Sequence, residues 1–138
     1  MTPLDLSLLD RLREAAADAS GRAYAPYSRF YVGAALLFDD GAIVTGCNVE
    51  NMSYGLTICA ERNALFRAIS ESGPGRRIEA IAVANRNGAA SPPCGACRQV
   101  LSEFVTVEAV VCFPGENGPE TRPFAELFPF GFALEPRG

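Results

Sequence analysis

Three cysteines and one glutamate stand at spacings that could do chemistry. Cys94 and Cys97 form a Cys-x-x-Cys pair, and Cys59 lies well upstream of them. Three soft thiolate donors suit zinc and leave the fourth corner of a tetrahedron open, which is where a reacting water can sit. Glu61 follows Cys59 by two residues; it is near such a metal in sequence but is a poor fourth ligand, and it reads as the proton shuttle for an activated water. Three thiolates also outweigh the charge of one dication and weaken it as an acid toward that water. A histidine ligand would avoid this, but the chain has no histidine. Arg62, beside Glu61, is the natural compensating charge, whereas Arg98, next to Cys97, reads as a surface or packing residue.

These residues need elements to hold them. Cys59 to Ser72 has helical composition, with Ala60, Ala64, Leu65, Ala68 and Ile69 apolar, Thr57 as an N-cap and Gly73-Pro74-Gly75 as the stop. Gly95 to Phe104 reads as a second helix. Cys59 and Cys94 then sit at helix N-termini with Cys97 one turn on, where unpaired backbone N–H groups favour thiolates. Upstream, Leu6, Leu9, Leu12 and Ala16 recur at helical spacing, so a helix runs from about Asp5 to Ala19 and ends at Gly21. Val32 to Phe38 and Ala42 to Cys47 are β runs around Asp39-Asp40-Gly41, a hairpin signal. Ile78 to Ala84 and Val107 to Phe113 read as strands, Glu120 to Arg122 as a last short one, and Pro123 to Leu127 as a terminal helical turn. The pattern implies a mixed sheet with helices on its faces.

The 138 residues fit one domain, 1–138, with no internal repeat or low-complexity tract. No apolar run approaches the roughly 18 residues of a membrane span, and residues 1–5 lack the features of a signal peptide, so the cytosol is the expected compartment. An odd count of five cysteines argues against a secreted disulfide framework. Cys47 and Cys112 lie in apolar strands and read as small buried hydrophobes. Net charge is −4 without a basic cluster, whereas polyanion binding leaves a basic footprint. Such a surface argues against a nucleic-acid strand as partner.

Tyr27-Ser28-Arg29-Phe30, Val32-Gly33-Ala34-Ala35, Gly46-Cys47-Asn48-Val49-Glu50-Asn51, Cys59-Ala60-Glu61-Arg62, Cys94-Gly95-Ala96-Cys97-Arg98-Gln99 and Glu126-Leu127-Phe128-Pro129 occur in this order. Together they resemble the small cytidine deaminases of the zinc-dependent nucleoside deaminase family. The resemblance implies a three-layer α/β/α fold with a mixed sheet of about five strands and helices on both faces. It implies one zinc per subunit on Cys59, Cys94 and Cys97, catalysis by Glu61, and hydrolysis of cytidine and 2'-deoxycytidine to uridine and 2'-deoxyuridine, with ammonia released, in pyrimidine salvage. It further implies that Arg62 hydrogen-bonds the thiolates, that Asn48 and Glu50 bind the ribose hydroxyls, and that Phe30 packs on the base. Tyr54 would lie near the sugar and the Ala60 N–H would hold the pyrimidine O2. Phe132 would reach a neighbouring subunit's site in a cytoplasmic homotetramer. One departure is Pro92, where the family usually has serine or threonine: the carbonyl is kept, the N–H and hydroxyl are lost.

Two alternatives stand beside this reading. A related deaminase could act on another aminopyrimidine nucleoside such as blasticidin S. Alternatively, a structural zinc module could complete a four-cysteine site with Cys47 or Cys112, which would leave no open position and no task for Glu61. Read without the resemblance, Asn48-Val49-Glu50-Asn51 is simply a polar turn.

Overall fold

The computed structural model describes residues 4–134 and 136, so part of the N-terminal segment read for targeting, residues 1–3, lies outside the described residues. The order is α1 (Leu6–Ser20), β1 (Val32–Phe38), β2 (Ile43–Cys47), a 3-10 turn (Tyr54–Leu56), α2 (Ala60–Ser72), β3 (Ile78–Asn85), α3 (Gly95–Leu101), β4 (Val105–Gly115), β5 (Gly118–Pro123) and α4 (Phe124–Leu127). The five strands form one sheet in the order β2-β1-β3-β4-β5. Neighbours are antiparallel except β3 and β4, which run parallel. That parallel pair requires a crossover, and α3 lies within it.

Helices cover both faces, as expected for three layers. Every residue of β1 is buried, the mark of a central strand packed on two sides. Its side chains alternate: Ala34, Leu36 and Phe38 join a cluster with Ala64 and Leu65 of α2, Leu101 of α3 and Phe124 of α4. Ala35 and Leu37 face the opposite way, onto Leu9, Leu12 and Ala16 of α1. Burying a leucine such as Leu12 stabilises by about 2 kcal/mol, so this apolar stripe is sufficient to dock α1. Asp5 caps α1 by accepting the Leu8 N–H at 2.7 Å.

The elements that position the site lie on the other face. Gly46 of β2 lets α2 approach: a β-carbon there would lie 2.4 Å from the Ala64 nitrogen and 2.7 Å from the Ala60 oxygen. At the far end Gly73 takes φ 78°, which stops α2.

Several boundaries differ from the sequence expectation. Thr57 is not the cap of α2; it follows the 3-10 turn, donating its N–H to the Tyr54 oxygen at 3.1 Å, and Cys59 is the N-cap. α3 stops at Leu101 because Phe104 is already at the sheet, its carbonyl accepting the Ile78 N–H at 2.8 Å. β4 is correspondingly longer at both ends than Val107 to Phe113, and it pairs with β5 from Val110 to Gly115.

Candidate active site

Because α2 and α3 share a face of the sheet, the N-cap residues Cys59 and Cys94 meet, with Cys97 in the first turn of α3. The Cys59 and Cys94 sulfurs are 3.8 Å apart, Cys94 and Cys97 3.4 Å, and all three lie within 4.8 Å of one another. A zinc tetrahedron with Zn–S bonds of about 2.3 Å has edges of about 3.8 Å, so the donor set fits that ion. Serine or threonine at an N-cap would normally spend its side chain on the helix backbone. Cys59 makes no such bond, which leaves its sulfur free for the cluster.

The electrostatics favour metal binding. The Cys59 thiol is pulled down to about 5, first by a hydrogen bond from Cys97 and then by Arg62, whose Nη2 donates to its sulfur at 3.3 Å. Cys97 moves up, because it holds the proton it shares toward Cys59 and because it is buried. A Cys59 thiolate thus exists at neutral pH beside two further sulfurs, and metal binding releases the protons that thiol ligands hold. Sulfur contact also keeps the Arg62 guanidinium firmly charged, while its buried Nε has no protein partner.

Glu61 is 4% exposed and does not belong to the sulfur group. Burial raises its carboxyl to about 6, with the Cys59 charge adding in the same direction. Among the described residues no further cysteine or acidic group joins the three sulfurs. Cys112 lies across the sheet in the α1 cluster, and Cys47 is half-buried at the end of β2. A four-cysteine site is therefore not formed. Arg98 has the packing role expected of it: Nε donates to the Pro93 oxygen at 2.7 Å and Nη1 to the Leu127 oxygen at 2.9 Å, tying α3 to α4.

A cleft of about 330 Å³ leads to this cluster, and its walls include Phe30, Asn48, Glu50, Cys59, Ala60, Glu61 and Cys94. Glu50 is buried and fixed: Oε1 accepts the N–H groups of Tyr27 at 3.0 Å and Ser28 at 3.2 Å, and Oε2 accepts the Ser28 hydroxyl. Those bonds, the Ser28 hydroxyl first, hold its carboxyl below the usual range. The Asn48 Oδ1 accepts the Val32 N–H at 2.9 Å and its Nδ2 donates to the Phe30 carbonyl at 2.8 Å.

Two further anticipated residues do not line this cleft, and of these Phe132 is the one expected at a neighbouring subunit's site. Tyr54 is exposed, edge-on to Tyr27 at 5.9 Å, and is not among the cleft-lining residues. Phe132 is exposed and borders a separate cleft with Phe124 and Phe128. Conversely Ser28, Thr57, Val83, Ser91 and Pro92 line the cleft without having been singled out as contacts. For Ser28 and Pro92 a signal existed, since one lies in the Tyr27–Phe30 motif and the other marks the departure before Cys94.

A mixed five-stranded sheet, two helices opening on three sulfurs and a buried carboxylate beside them define a zinc-binding deaminase. The profile of the family described as "Cytidine and deoxycytidylate deaminase zinc-binding region" matches residues 7–113, and the chain belongs to this family. The chain is 50% identical over 115 residues to a cytidine deaminase of Halalkalibacterium halodurans, covering 82% of this chain and 85% of that one. It is 48% identical over 124 residues to a cytidine deaminase of Mycobacterium tuberculosis, covering 90% and 89%. The crystal structure of cytidine deaminase from Mycobacterium tuberculosis superposes with a TM-score of 0.80 at 44% identity, over 96% of this chain and all of that one. That from Burkholderia pseudomallei gives 0.79 at 44%, over 89% and 98%.

Proposed function

We propose that this protein hydrolyses cytidine and 2'-deoxycytidine to uridine and 2'-deoxyuridine with release of ammonia, in pyrimidine salvage, as one catalytic domain over residues 1–138. The observation that carries this reading is the buried Glu61 carboxyl, raised to about 6, at the head of a cleft that ends on three clustered sulfurs. Relatives named cytidine deaminase at 48% and 50% identity support the substrate.

Zinc held by Cys59, Cys94 and Cys97 supplies the Lewis acidity that makes a water nucleophilic near neutral pH. The remaining work falls to the chain. Glu61 accepts a proton from the water as its oxygen bonds to C4 of the ring, and delivers that proton to N3. It then carries the remaining hydroxyl proton to the amine, so that C4–N breaks, the C4 carbonyl forms and ammonia departs. A carboxyl poised near the operating pH can do both. Arg62 offsets thiolate charge through its bond to Cys59. The N–H of Ala60, first residue of α2, has no partner within the helix and is suited to the pyrimidine O2.

Phe30 packs on the base, and Glu50 with the unused donor and lone pair of Asn48 binds the sugar hydroxyls. No lysine or arginine is among the cleft-lining residues, and Glu50 is kept ionised. A 5'-phosphate would meet a fixed negative charge with nothing to neutralise it, which favours the nucleoside over the nucleotide. Exposed Phe130, Phe132 and Leu134 support assembly with further copies, a homotetramer in which Phe132 serves a neighbouring site; exposed Tyr54 is proposed to come near the sugar in that assembly. The five free cysteines fit a reducing cytoplasm, and no described helix is long and apolar enough to cross a membrane.

The test is a substrate panel on the zinc-loaded protein, followed by loss of ultraviolet absorbance. Cytidine and deoxycytidine should be consumed and deoxycytidylate spared. Inertness toward both nucleosides would refute the reading, and turnover of blasticidin S alone would move it to that substrate.

A further inference from the structure

Beyond the last β1–β3 pair, Val32 against Asn85, the ladder has one more backbone bond, from the Arg86 N–H to the Tyr31 carbonyl at 3.0 Å. The backbone cannot continue it, because Arg29 takes φ 57°, a left-handed conformation that turns the chain away and that residues with a β-carbon avoid. The Asn87 side chain stands in for the missing peptide group. Its Oδ1 accepts the Tyr31 N–H at 3.1 Å and its Nδ2 donates to the Arg29 carbonyl at 2.9 Å. The two bonds straddle Phe30. Phe30 itself donates its N–H to the Ser28 hydroxyl at 3.0 Å, and its carbonyl is taken by Asn48.

The loop bearing Asn87 is itself braced. Asn85 Oδ1 accepts the N–H groups of Asn87 at 3.0 Å and Ala89 at 3.2 Å, and its Nδ2 donates to the Ala89 carbonyl at 2.8 Å. From there the chain runs on to Ser91 and Pro92 in the cleft wall. Asn87 therefore fastens the segment carrying Phe30 to the segment leading into the sulfur cluster, without lining the cleft itself.

We propose that Asn87 is a positioning residue for substrate binding, acting through Phe30. The inference rests on the reading of Phe30 as the base-packing residue. A side-chain amide is required because one atom must accept from Tyr31 while its neighbour donates to Arg29. Aspartate can replace only the first bond.

Kinetics and hydrogen exchange of the full chain test this. Asn87→Ala should raise KM for cytidine about 3- to 10-fold, the range of one or two exposed hydrogen bonds, with kcat within about two-fold of wild type. In a Phe30→Ala background the same change should add nothing, because the residue that transmits it is gone. Asn87→Asp should also raise KM. In exchange, the Tyr31 amide should lose protection in Asn87→Ala and keep it in Asn87→Asp. An additive effect on Phe30→Ala, a loss confined to kcat, or unchanged Tyr31 exchange in Asn87→Ala would overturn the proposal. An inert wild type would refute the deaminase reading instead, and the exchange measurement would still decide whether Asn87 holds this segment.

Discussion

Glu61→Gln should make the metal-free protein more stable at neutral pH. Folding buries the Glu61 carboxyl and raises it from 4.5 to about 6. A carboxyl raised on folding favours the native state fully only below the unfolded value, and that contribution is lost as the pH climbs through the folded one. Above about pH 6 the native state must carry a buried anion, and the penalty is the shift times 1.36 kcal/mol, or about 2 kcal/mol. Glutamine keeps the shape and cannot ionise. Part of that penalty is the repulsion between this carboxylate and the Cys59 thiolate, which the variant removes along with the burial cost. Urea unfolding with chelator and reductant should therefore place the Gln variant about 2 kcal/mol above wild type near pH 7.5, roughly a 1 M shift in midpoint. The gap should close near pH 4. A gap independent of pH, or a less stable variant at pH 7.5, would refute the reasoning.

Other perturbations address the elements around that residue. Gly46→Ala should lower stability by about 1 to 3 kcal/mol in the same unfolding assay, because its β-carbon would meet the α2 backbone at 2.4 Å; an unaltered midpoint would mean α2 can shift freely. Arg62→Ala should retain zinc yet lower turnover, and in metal-free protein should raise the Cys59 thiol above about 5, followed by thiolate absorbance against pH. Unchanged values would place the compensating charge elsewhere. Glu50→Gln should raise KM for cytidine with little change in kcat, and an unaltered KM would remove Glu50 from sugar binding.

The chemistry was legible in sequence because it is local. A Cys-x-x-Cys at a helix start and a Cys-x-Glu-Arg at another determine which side chains point from which turn, and the fold brings those turns together. The β1–β2 hairpin was equally readable from Asp39-Asp40-Gly41, and the structure pairs Leu37 with Ile43 around it. What could not be read depends on distant pairing. The parallel β3–β4 register and the early start of β4 follow from packing across the sheet, and they cut α3 short at Leu101 although the sequence reads as helix to Phe104. Thr57 looked like a cap by type, but the sulfur of Cys59 takes that position for a different purpose. Tyr54 is placed near the sugar by resemblance alone, and in the structure it is an exposed residue of the 3-10 turn. Asn87 gave no signal at all, since an asparagine in a loop declares its role only when its two partners, Arg29 and Tyr31, are seen in place.

Deamination by this chain depends on a metal centre made by three sulfurs, with the carboxylate beside it left free to move protons. Zinc content and cytidine turnover, measured together on wild type and Glu61→Gln, test this most directly. One zinc per chain in both proteins, with turnover lost by at least about a thousand-fold in the variant, is the expected result. Full activity in Glu61→Gln, or loss of zinc along with activity because the carboxylate had been a ligand, would contradict it.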